Sequence, residues 1–269
     1  MIPVVVVVLF TGLMVQLSLS SPRNKDLTLP LPSGGGVSSI IANVSLFISI
    51  AIVAIVLVFL SKRLRKEYAS NLFVAVYLVV GTVFTLLFGK QFFNVPENSF
   101  PLIYLVFGVV GYLGFYSIYL IVTGIVGENL KNFIFLTYSS IIGMFLGLSL
   151  PIASVIAVIL ALSFVDIFWV YQQLRGPETE DGMEKFMIVL KTIDARWGIG
   201  LGDLTCYAML VTCSLANFGA LNCLFSIILV LIGALSSMNR AEKYTYFPGL
   251  PMSAGLGAIP ILISSIILA

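Results

Sequence analysis

"GIGLGDLTCYAML", residues 198–210, is apolar enough to lie in a membrane, yet it carries Asp203 behind glycines at 198, 200 and 202. A carboxylate at the centre of a membrane helix costs about 2.5–3.5 kcal/mol on insertion scales. Such a group needs a reason to be there, and the first question is whether it has a partner.

The surrounding chain decides what kind of solvent Asp203 meets. Of 269 residues, 59% are hydrophobic and only 10% are charged, against about 25% charged in a soluble domain. This is the composition of a polytopic membrane protein, in which segment length says more than periodicity. Nine apolar stretches are long enough, or nearly so, to span a bilayer: 2–19, 38–61, 71–93, 101–126, 132–149, 151–174, 199–215, 218–237 and 249–269. Polar breaks separate them, among them "SSPRNKDLTLPLPSGGG" (20–36), "SKRLRKEYAS" (61–70) and "NVPENSFP" (94–101), and Pro151 divides the fifth from the sixth. The first stretch lacks the basic leader of a signal peptide and is read as a retained helix. The expected class is therefore an all-α membrane protein of nine transmembrane helices.

Charge gives the expected orientation. With loops assigned alternately to two sides, 11 of the 14 Lys and Arg fall on the side of the 61–70 loop. Only Arg23, Lys25 and Lys90 fall on the other. The positive-inside rule then places the N-terminus inside and the C-terminus outside. The chain divides into helices one to six (1–174), an inner loop (175–197) and helices seven to nine (198–269).

Several chemistries drop out. There is no histidine, so Ser–His and Cys–His catalysis, His-containing zinc sites and His-ligated haem are excluded; no metal and no cofactor is expected. Cys206, Cys213 and Cys223 form no CxxC and are odd in number, and read as small buried hydrophobes. A net charge of +2 without basic runs interleaved with aromatics points to no nucleic-acid partner. The glycines before Asp203 do not form GxGxxG, so a nucleotide loop is not indicated; they serve either tight helix packing or the approach of a substrate backbone.

Of the 12 acidic residues, only Asp166 and Asp203 lie inside spans away from a membrane edge. Asp166 precedes Arg175 by nine residues and Asp203 follows Arg196 by seven. At 1.5 Å per helical residue, both would sit at similar depth, roughly 13 and 10 Å below the inner surface. Consecutive spans usually pack as neighbours, so the two carboxylates can face each other. Two close carboxylates in low dielectric share one proton, which puts a general acid and a general base in one place. From the pair alone, an aspartyl protease, an ion channel or proton-coupled transporter, and a structural hydrogen-bonded pair all remain alternatives.

The flanking residues resemble a known family. "GLGD" (200–203) fits the Gly-x-Gly-Asp signature of the presenilin and signal peptide peptidase families of intramembrane aspartyl proteases, and "GIGLGDLTCYAML" is similar to the presenilin stretch after its large loop. "DIFWVY" (166–171) is similar to the first-aspartate stretch of signal peptide peptidases. "PGLPMS" (248–253) opens the ninth span where these families carry Pro-Ala-Leu. Two positions depart from the pattern: Val165 stands where the families usually have Tyr, and Gly249 where they have Ala.

The resemblance implies a presenilin-like fold with Asp166 and Asp203 as the catalytic pair of an intramembrane aspartyl endopeptidase. Its substrates would be transmembrane helices or signal-peptide remnants. It implies an integral protein of an archaeal plasma membrane, in contact with the lipid bilayer, and leaves a homo-oligomer open. Gly200, Leu201, Gly202, Pro248, Gly249, Leu250 and Pro251 are expected to shape the substrate site. In the inner loop, "KFMIVLK" (185–191) is short, apolar and partly β-branched. It reads either as a surface segment or as a strand that adds substrate through Ile188, Val189 and Leu190.

Overall fold

The computed structural model describes residues 2–20, 74–86, 100–175, 189–191, 198–241 and 248–268. They form helices α1 (Ile2–Ser20), α2 (Val74–Leu86), α3 (Phe100–Val122), α4 (Glu128–Ser149), α5 (Ile152–Arg175), α6 (Leu201–Ala241) and α7 (Leu250–Leu268), and strands β1 (Val189–Lys191) and β2 (Gly198–Gly200). In hydrocarbon every backbone N–H and C=O must be satisfied within the segment, which is why even the valine-rich start of α1 is helical. Three of these helical stretches, Glu128–Ser149, Leu201–Ala241 and Leu250–Ile267, are long and apolar enough to cross a membrane. The chain is an integral membrane protein. The expected second span, 38–61, lies outside the described residues.

α6 is two helices in one unbroken run. Gly219 has φ 85° and ψ −179°, a left-handed φ that a side chain would resist. Twelve residues of straight helix span about 18 Å, yet Ser226 Oγ reaches Ser214 Oγ at 3.2 Å and Cys223 Sγ reaches the Val211 carbonyl at 3.7 Å. The 201–218 and 220–241 halves therefore lie side by side, matching the seventh and eighth expected spans. Residues 206–215 are all buried, so the first half is the centre of the bundle. α1, α4 and α7 pack around it.

Glycines set how closely these helices approach. Apolar side chains gain little from leaving lipid, so association rests on van der Waals contact. In α4, Gly143 and Gly147 stand four apart in "GMFLG". A Cβ at Gly143 would run into the Thr205 carbonyl and Ala208, and one at Gly147 would lie 2.6 Å from the Met209 carbonyl. In the second half of α6, a Cβ at Gly233 would press on the backbone of Met252 and Ser253 at the start of α7. α1 contributes a stripe, Val4, Val7, Val8, Thr11 and Val15, at helical spacing.

α5 is held differently. Among its described side chains, Val155, Ile159 and Ser163 are buried, a single line four residues apart that leads toward Asp166. α5 packs mainly on α7, while Phe164, Val165, Ile167 and Phe168 are exposed.

Two expectations change in detail. The architecture is helical but includes a two-stranded antiparallel sheet, with Val189 opposite Gly200, Leu190 opposite Ile199 and Lys191 opposite Gly198. The span expected from residue 199 begins at Leu201, because Gly198–Gly200 is extended and paired with β1. Asp203 is thus the third residue of its helix, and a depth counted as helix from Arg196 does not apply.

Candidate functional site

Asp203 sits in the first turn of α6, where the unpaired N–H groups of a helix start favour a negative charge. The Gly200 N–H faces its carboxylate. This is the reach of a third helical residue back to the cap, as in a capping box. Gly200 also makes room: a Cβ there would lie 3.3 Å from Asp203 Oδ2 and 3.5 Å from Oδ1.

Asp166 arrives from α5 at the end of its buried line. Its Oδ2 accepts the Leu250 N–H at 3.1 Å, and the Gly249 N–H faces the same carboxylate. Leu250 is the first residue of α7, so its N–H has no partner within the helix. A Cβ on Gly249 would lie 3.7 Å from Asp203 Oδ2. The Gly249–Leu250 turn is thus in contact range of both carboxylates, and the two acids are near enough to interact electrostatically.

The other expected site residues fall in different places. Gly200, Pro248, Gly249 and Leu250 gather at the two carboxylates or next to them, and Pro251 follows in the first turn of α7, where a missing N–H costs nothing. Leu201 and Leu250 are buried, so each contributes through its backbone and packing. Gly202 is exposed, with nothing within 4 Å of where a Cβ would stand, so it is not a helix-packing glycine. Val189 and Leu190 lie on β1, whose partner β2 leads directly into the helix of Asp203; Ile188 lies outside the described residues. Cys206, Cys213 and Cys223 are buried free thiols, as expected.

Some residues at this turn escaped the sequence reading. Ser253 Oγ donates to the Gly249 carbonyl at 2.9 Å, Ser237 Oγ lies 3.2 Å from the same oxygen, and the Tyr207 hydroxyl is 2.6 Å from Ser253 Oγ. Ser237 and Ser253 are fully or nearly buried hydroxyls on apolar helices. In the sequence a serine on an apolar span signals only that its hydroxyl needs some partner, and does not name the Gly249 carbonyl. "GMFLG" (143–147) carried a visible small-residue spacing.

The fold is that of solved aspartate proteases. Two structures of a presenilin family intramembrane aspartate protease, in C222 and P2 space groups, superpose on this chain with a TM-score of 0.63 at 14% sequence identity. The match covers 99% of this chain and 97% and 96% of theirs. No family model and no curated protein matches the chain by sequence.

Proposed function

We propose that this chain is an intramembrane aspartyl endopeptidase and that Asp166 and Asp203 are its catalytic pair. The observation that carries the reading is the convergence of the two in-span carboxylates, from the consecutive helices α5 and α6, on the Gly249–Leu250 turn of a third helix. The presenilin-like fold supports it. In this mechanism one carboxylate is ionised and takes a proton from water, while the other is protonated and donates to the scissile carbonyl. The carboxyl that took the water's proton then gives it to the leaving amine, while the other, now ionised, takes a proton from a gem-diol hydroxyl as the C–N bond breaks, which restores the starting pair. Because one proton is shared by two groups, the rate should pass through a maximum with pH, and both limbs belong to the pair.

A transmembrane helix hides its peptide bonds, so a substrate must be opened before hydrolysis. A substrate segment added as a strand to the β1–β2 sheet would be held by backbone bonds beside Asp203. Ile188, Val189 and Leu190 on one side, and Gly200, Leu201, Gly202, Pro248, Gly249, Leu250 and Pro251 on the other, are the residues proposed to line it. Substrates in this reading are transmembrane helices or signal-peptide remnants. The chain would be oriented N-terminus inside and C-terminus outside across nine helices, with the 175–197 loop inside.

The test is cleavage of a model transmembrane peptide by purified protein. Wild type should cleave, and Asp166→Asn and Asp203→Asn should each leave no detectable rate while remaining folded. A folded Asn variant that cleaves at near wild-type rate would sink the aspartyl mechanism.

A further inference from the structure

The Gly249 carbonyl and the Leu250 N–H are the two ends of one peptide unit. The N–H end donates to Asp166 Oδ2 at 3.1 Å. The carbonyl end receives Ser253 Oγ at 2.9 Å and lies 3.2 Å from Ser237 Oγ. A hydroxyl has one proton to give, and that of Ser253 is committed to carbonyls, since Ser253 Oγ also lies 3.2 Å from the Leu250 carbonyl. Across the 2.6 Å contact between Tyr207 and Ser253, the phenol must therefore be the donor. Tyr207 is on α6, four residues and one helical turn after Asp203.

From this geometry we infer that Tyr207 and Ser253 are positioning residues for the reaction. Donation runs from the Tyr207 O–H to Ser253 Oγ, from Ser253 to the Gly249 carbonyl, and from the other end of that peptide to Asp166. Each donor polarises the next group, so the chain strengthens the Leu250 N–H as a donor and fixes its direction. It also ties the position of Asp166 to the helix that carries Asp203. α5 grips the bundle along a narrow line, whereas Tyr207 and Ser253 are both buried in its centre. A hydrogen-bonded strut from that centre is what would hold Asp166 in register with its partner acid. Neither hydroxyl touches the reacting atoms. Gly233 makes the strut short enough to work: its missing side chain lets α6 and α7 close up around Ser253.

This inference rests on the aspartyl protease reading, and the experiment separates the two. Tyr207→Phe and Ser253→Ala each remove a single oxygen. Cleavage of the model transmembrane peptide is measured for both, for the double variant and for Asp203→Asn, at a temperature where circular dichroism shows every variant folded. Each single variant should lower kcat by about 3- to 10-fold, the worth of one hydrogen bond, with KM unchanged. The double variant should be no slower than Ser253→Ala alone, because Tyr207 acts through Ser253. Full wild-type kcat in Tyr207→Phe and Ser253→Ala, with Asp203→Asn inactive, overturns the strut and leaves the protease intact. Losses that multiply in the double variant, or that appear in KM, also overturn it. Cleavage by Asp203→Asn removes the reading beneath it.

Discussion

Asp203 opens a helix that is buried on every side over residues 206–215, whereas Asp166 stands on a helix whose described buried side chains form one line. Around Asp203, residues 206–215 form a continuous buried run, with Gly143 and Gly147 of α4 set against its backbone. Around Asp166, Phe164 is 69% exposed, Val165 57% and Phe168 58%. In a bilayer those side chains face lipid, which neither penalises them nor fixes their position. The difference teaches that the two acids are placed by different forces. Asp203 is located by close-packed backbone, and Asp166 by the hydrogen bond it accepts from the start of α7.

The largest effect is expected where that contrast disappears, in the chemistry. Asp166→Asn and Asp203→Asn should fail equally, and the double variant should be no worse than either single one, because members of one catalytic unit fail together. A measurable rate in one single variant and none in the other would show that the two acids are not a unit.

Stability should separate the two regions next. Gly143→Val pushes a side chain into the Thr205 carbonyl and Ala208, and should cost about 1–3 kcal/mol or more as overpacking. Phe164→Ala on the exposed face of α5 should stay within about 0.5 kcal/mol. Thermal melting in detergent checks both, and equal losses would break the contrast.

A smaller effect is confined to activity. In Gly200→Ala the new Cβ would stand 3.3 Å from Asp203 Oδ2, so the carboxylate must shift by a few tenths of an ångström. Reacting groups tolerate little misplacement, and kcat should fall by roughly tenfold with little change in melting. Unchanged kcat would mean that the site near Asp203 is less closely framed than the packing indicates.

The smallest effect is expected at Gly249→Ala. A Cβ there would make ordinary contact with Asp203 Oδ2, at 3.7 Å. Stability should rise by about 0.4–1 kcal/mol, from the reduced freedom of the unfolded chain, and kcat should change little. A loss of activity without a loss of stability would show that substrate occupies that space.

The sequence alone determined that this chain lives in a membrane. The lengths of its apolar runs and the scarcity of charge leave no other solvent for it, and hydrocarbon then forces those runs into helices. It also singled out Asp166 and Asp203, because a carboxylate away from the membrane edge is rare enough to read by inspection. Pro151 marked a real break between α4 and α5, and the gap between the stretches 199–215 and 218–237 fell close to the left-handed Gly219.

What only the tertiary structure decided was the means of bringing the acids together. That "GIG" before Asp203 is a strand could not be read from its glycines, because a strand exists only by pairing, and the partner lies within the 175–197 loop. Nor could the sequence assign the Leu250 N–H to Asp166, 84 residues apart, or find Tyr207, Ser237 and Ser253 around the Gly249 carbonyl. Hydrogen bonds between helices depend on crossing points and rotations, and those are set by where glycines let backbones touch. Composition and segment length fix the elements one by one; the contacts between them belong to the assembled bundle.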